Sequence, residues 1–84
     1  MKYNIKNVNG ALNKLEMLNG VEFTWKNTNL ESIGVIAQDV EDVFPELVST
    51  TDGKKTVNYN GLIGVLIEAV KTLNEKIAIL ESNT

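Results

Sequence analysis

The chain has 84 residues, a formal net charge of −3 and 43% hydrophobic residues, with neither Cys nor His. It is one domain at most, close to the lower size limit for independent stability, and the usual props of a disulfide or a Cys/His zinc site are excluded. Acidic and basic residues are interspersed with no basic patch for nucleic acid, no apolar run reaches a membrane span, and the start MKYNIKNVNG has no signal core.

The chain therefore reads as soluble and unprocessed by secretion, with oligomerisation as the ordinary support for so small a core. After an extended start, Val8, Ala11, Leu12, Leu15 and Leu18 recur at helical spacing. Asn7 or Asn9 is placed to cap this short amphipathic helix and Gly20 to end it. In Val21–Lys26 the apolar Val21, Phe23 and Trp25 alternate with polar residues, the period of a half-buried strand. Phe23 and Trp25 are expected in the core rather than as a stacking platform for a ligand. Residues 27–32, NTNLES, form a turn, and the apolar run Ile33–Ile36 is expected to pair back as a second strand.

Ala37, Val40, Val43 and Phe44 predict a second helix, which Pro45 stops because it lacks an amide hydrogen and restricts Phe44. Asp39, Glu41, Asp42 and Glu46 gather carboxylates around this helix. They lack the EF-hand spacing and its central Gly, so a solvated face is expected and no metal. Leu47–Thr50 and Lys55–Tyr59 flank Asp52-Gly53, a strong hairpin signal. Asn60 is expected to cap the longest helix, from about Gly61 to Glu81. Gly61 and Gly64 do not make a phosphate loop, which ends Gly-Lys-Ser/Thr, and are expected to allow close backbone approach. Ser32, Ser49 and Ser82 have no His to activate them and sit in no Gly-x-Ser-x-Gly elbow.

The last helix carries a seam. Ile63, Val70 and Ile77 are spaced by seven, and Leu66, Leu73 and Leu80 follow each by three, which makes three heptads with β-branched residues at a and Leu at d. Lys76 falls at g and Glu81 at the following e, where a lysine of one helix reaches a glutamate of a parallel neighbour. Packing of this stripe on its own domain is the competing reading, and the small size of the domain favours self-association. The heptads leave the number of chains open, since this choice of a and d residues is, if anything, the dimer preference. The predicted architecture is α+β: a head of short helices and short antiparallel strands over residues 1–60, and an oligomerising helix over 61–84.

IGVIAQDVEDVFPELV, residues 33–48, and DGKKTVNYNGLIGVLIEAVKTLNEKIAILE, residues 52–81, carry an ordered set of positions. These are Gly34, then Ala37-Gln38 with Val40, Phe44-Pro45-Glu46 with Val48, Val57 with Tyr59, and the long apolar helix. With the opening KYNI and the strand ending in Phe23 and Trp25, the set resembles the C-terminal intramolecular chaperone domain of phage endosialidases, tailspikes, tail fibres and neck appendages. Related domains occur in some membrane-tethered eukaryotic transcription factors.

The resemblance implies a homotrimer, built on a parallel three-helix coiled coil, that holds the upstream tail fibre or tailspike segment of the same polypeptide in register while it folds. It then implies self-cleavage at the domain's N-terminus by a Ser/Lys pair and no cofactor. The setting would be the cytoplasm of the infected bacterial host during virion assembly, with the domain absent from the mature virion. Lys2, in KYNI, matches the family's general base, whereas the matching serine of a Ser-Asp motif would lie ahead of Met1. The chain is thus expected to be inactive as it stands: a shortened copy, the product of a further cut or a separately started copy. Lys2 is expected to be an exposed terminal lysine, since a base without its nucleophile does no chemistry. The resemblance also gives Gln38 a recurring place after a strand, where its amide is expected to bond backbone near the hairpin. Two other readings stand beside this one. A permanent oligomerisation or adaptor module would have no Ser-Asp upstream, and a small-ligand-binding protein would be a monomer with an apolar pocket.

Overall fold

The computed structural model describes residues 1–83; Thr84, the end of the predicted helical segment 61–84, lies outside the described residues. Residues 1–9 form neither helix nor strand and are exposed. Gly10, in the left-handed region at φ 66°, turns the chain into α1, Ala11–Leu15. This helix is shorter than the apolar spacing predicts, with Val8 left outside it. Neither Asn7 nor Asn9 caps it, because the cap position falls on Gly10 and no side chain bonds the first turn. Gly20 does not end it either: the amides of Met17 and Leu18 bond the carbonyls three residues back, tightening the chain out of the helix well before Gly20.

Strands β1, Val21–Thr24, and β2, Glu31–Gly34, form an antiparallel hairpin in which Val21 faces Gly34 and Phe23 faces Ser32. The second strand lies two residues earlier than predicted, so Ile33 points to solvent and Ser32 and Gly34 point inward. Trp25 lies beyond the end of β1, where its amide and carbonyl close the connecting loop on Leu30 and Asn29. That placement overturns the expectation of a core tryptophan. Trp25 is 56% exposed and meets the half-buried Phe23 edge-on at 5.1 Å between ring centroids.

Helix α2, Ala37–Val43, runs into a single 3₁₀ turn at Pro45–Leu47. The hairpin of β3, Val48–Thr51, and β4, Lys54–Val57, follows with Asp52 and Gly53 at φ 51° and 76°, the two-residue turn that requires left-handed backbone at both positions. An ion pair from Lys55 to Glu41 ties β4 to α2.

Helix α3, Tyr59–Ser82, begins two residues before the predicted start and is capped by Asn58 rather than Asn60. The Asn58 side-chain oxygen accepts from the backbone amide of Gly61 at 3.1 Å, and the backbone amide of Asn58 donates to the Leu47 carbonyl at 2.7 Å. That second bond continues the line of the β3–β4 hairpin and fixes where the helix starts. Asn58→Ala is accordingly expected to lower stability by about 1 kcal/mol, while Asn60→Ala, in the first turn, changes it by less than about half that. Urea unfolding of the two variants separates the assignments.

Ala11, Val40, Phe44, Val65 and Ala69 form the core, with Leu12, Leu15, Val43, Leu47 and Val57 packed round it. Among the described residues no polar or charged side chain is buried. The two small residues Ala11 and Ala69 suit a close approach of α1 to α3, whose first half is the spine on which α1 and the 3₁₀ turn pack. The second half projects away, and the Cα radius of gyration is 16.1 Å where a compact chain of this length would have about 12 Å.

Candidate functional site

Helix α3 carries two apolar stripes on different sides. Leu62, Val65 and Ala69, with Thr72 after them, fall at the c and g positions and face the head; the first three are 7%, 3% and 2% exposed. The six seam residues Ile63, Leu66, Val70, Leu73, Ile77 and Leu80 occupy the a and d positions and are 45% to 67% exposed. The stripe that holds α3 to its own subunit is thus separate from the heptad seam. Ile67, at e, adds to the exposed face.

From Leu73 to Asn83 every residue of the helix and its cap is exposed. An isolated helix of that length is marginal in water, and an apolar row along it has no reason to stay in solvent. Gly61 lets the start of α3 lie against the head, since a Cβ there would overlap the Leu47 side chain, whereas Gly64 has open space around it. The close approach expected of both glycines holds for Gly61 alone.

The other positions singled out in the sequence divide into scaffold and surface. Gly34 and Tyr59 come together, because a Cβ on Gly34 would stand 2.7 Å from Tyr59 Oη and 3.3 Å from Phe23. Val40 and Phe44 are the buried centre of the head, with Ala37 and Val57 half-buried at its edge. Pro45 and Glu46 are exposed in the 3₁₀ turn. Gln38 is exposed and its side chain makes no hydrogen bond among the described residues, in place of the expected backbone contact. Lys2 is exposed in the N-terminal segment.

Of the carboxylates round α2, Glu41 is engaged by Lys55, and among the described residues no group of three or more metal-binding side chains converges. No described helix is long and apolar enough to cross a membrane. An open groove lined by Phe23, Trp25, Ile36, Lys55 and Tyr59 lies on the head.

One contact has no forerunner in the sequence. Asn7 Nδ2 donates to Glu68 Oε1 at 3.1 Å, fastening the N-terminal segment to α3 across 61 positions of chain. A lone glutamate on the polar side of an amphipathic helix ordinarily means solvent, so periodicity alone gives no signal for it.

The family model described as chaperone of endosialidase matches residues 1–49. The long tail fiber protein Gp37 of Enterobacteria phage K3 is 38% identical over 92 aligned residues, which take in 98% of this chain. The Gp37 long tail fiber protein of Enterobacteria phage T2 matches at the same identity and coverage. This chain spans 7% of the length of these relatives. An α+β head, a long C-terminal helix and these likenesses agree, and the chain belongs to the chaperone-of-endosialidase family.

Proposed function

We propose that three copies of this chain associate in parallel through Ile63, Leu66, Val70, Leu73, Ile77 and Leu80, and that the trimer aligns three copies of a tail fibre segment of the same polypeptide while that segment folds. The observation that carries this reading is the second apolar stripe of α3, exposed along its length while a different side of the helix serves the head. The accessible surface supports it: 7172 Å² for a 9.3 kDa chain, against about 5,000 Å² for a compact monomer of that mass.

Alignment is useful for a physical reason. Intertwined β fibres depend on contacts between distant or separate chain segments, fold slowly and expose edges that misassemble. A small domain rich in local helical contacts forms faster, and joining three chains through it raises the effective concentration of the segments attached to it.

Release follows, in this proposal, by a cut ahead of Lys2 in the cytoplasm of the infected host. The Lys2 amine takes the proton of an upstream serine hydroxyl, the serine oxygen attacks the preceding carbonyl carbon and the serine's own amide nitrogen leaves with that proton, giving an ester that water then hydrolyses to free the preceding chain. A lysine performs this step only when other groups cover it, because the base must be the unprotonated amine. Assembly with neighbouring copies and the upstream chain is the means of covering the exposed Lys2.

Sedimentation equilibrium of the 84-residue chain tests the assembly. The expected mass is three times 9.3 kDa. A mass of one chain that does not change with concentration overturns the reading.

A further inference from the structure

Glu68 is the one half-buried carboxylate of the three on α3, with its side chain 20% exposed. It accepts from Asn7 through one oxygen and from Lys71 Nζ at 3.2 Å through the other. Residues Lys6, Asn7, Val8 and Asn9 line a common groove with Gly61 and Val65, which with Glu68 form one stripe at i, i+4 and i+7. The incoming chain therefore follows a track two turns long on α3 and is tied down at its end by Asn7.

The direction of that track matters. At 3.6 residues per turn, Glu68 stands roughly 170° round the helix from the middle of the a/d seam. Glu68 and the seam are on opposite sides of α3, and the head packs on the flank between them, with Val65 shared by the head and the track.

We infer that Glu68 clamps the incoming chain to the side of α3 that faces away from the seam, so that the trimer holds its three incoming chains apart at the rim instead of gathering them on the threefold axis. The inference rests on the trimer proposed above. With helix axes 8–10 Å apart, an outer-side chain lies roughly 16 Å from the threefold axis, which sets the three Asn7 positions roughly 25–30 Å from one another. The partner that this arrangement receives is the fibre segment itself, entering as three separated strands. Chains kept apart at the junction do not pair with one another before the segment ahead of them has its own register, which guards against the edge-to-edge errors of slow β assembly.

The chain has no Cys, so single spin labels report cleanly. Labels on Lys6→Cys are expected roughly 25–30 Å apart in the trimer, and labels on Asn74→Cys, beside the seam, under roughly 20 Å. Adding Glu68→Ala to Lys6→Cys is expected to broaden the first distribution with the trimer mass unchanged, and Glu68→Gln, whose amide oxygen still accepts from Asn7, to restore it. Close Asn74 labels combined with Lys6 labels within about 15 Å of one another would overturn the rim arrangement while leaving the trimer in place. A Lys6 distribution indifferent to Glu68→Ala would remove Glu68 as the clamp. A one-chain mass with no coupling between labels at either position would instead remove the trimer on which the inference stands.

Discussion

Leu73→Asp is expected to reduce the assembly to single chains while leaving the head folded. Leu73 occupies a d position in the middle of the seam, is 48% exposed in the isolated subunit and lies just past the stripe that packs on the head. Burying a leucine contributes about 1.5–3 kcal/mol, and that gain is lost once per subunit. Burying an unpaired carboxylate at the same place costs several kcal/mol more, and three of them would meet at one level of the coiled coil. The combined change exceeds the entire stability of many small domains, so the weight-average mass should fall to one chain at micromolar concentration. Far-UV circular dichroism should lose the helical signal of the projecting half of α3 and keep that of the head. A variant that sediments as three chains with its helicity intact would show that the seam is elsewhere.

Lys2→Ala is expected to stop self-cleavage of a fibre fusion in which a Ser-Asp segment precedes Lys2. Removing a general base ordinarily lowers a rate by a factor of about 100 to 10,000, and a serine without His has no second base at hand. Over a time course in which the parent fusion is fully processed, the variant should show no product on a denaturing gel. Its mass before cleavage should match that of the parent, because exposed Lys2 lies far in sequence from the seam. Processing at the parental rate would assign the base to another residue. A parent fusion that never cleaves would favour a module retained on its fibre.

The heptad spacing of the a and d stripe was legible in the sequence, and the structure leaves that stripe exposed on α3 instead of packed on the head. The stripe at Leu62, Val65 and Ala69 on the same helix was not legible, since its apolar residues are interleaved with those of the stronger pattern. The Asp52-Gly53 hairpin was equally plain, as the turn dictates the residues it accepts. Element ends were read less well, for local reasons. Asn58 and Asn60 are both good caps, and the choice between them is made by the bond from Asn58 to Leu47, a tertiary contact. The run from Ile33 to Ile36 has no alternation and so carries no phase. The phase is set instead by the loop from Trp25 to Leu30, which leaves Ile33 outside. Periodicity carried the exposed a and d stripe, whereas a single polar contact between distant segments, that of Asn7 with Glu68, left no such signal. Gln38, given a role by resemblance alone, has no side-chain hydrogen bond among the described residues.

The projecting half of α3, exposed on every side from Leu73 onward, links order at one end of the domain to arithmetic at the other. In the proposed trimer those residues gain neighbours only from other copies, so their helix is populated by mass action, and its stability rises with the number of strands present. A lone chain would have a finished head and a frayed tip. The completed tip would then act as a tally, rigid only after the third strand has arrived, and whatever geometry the junction needs becomes available at that moment and no sooner.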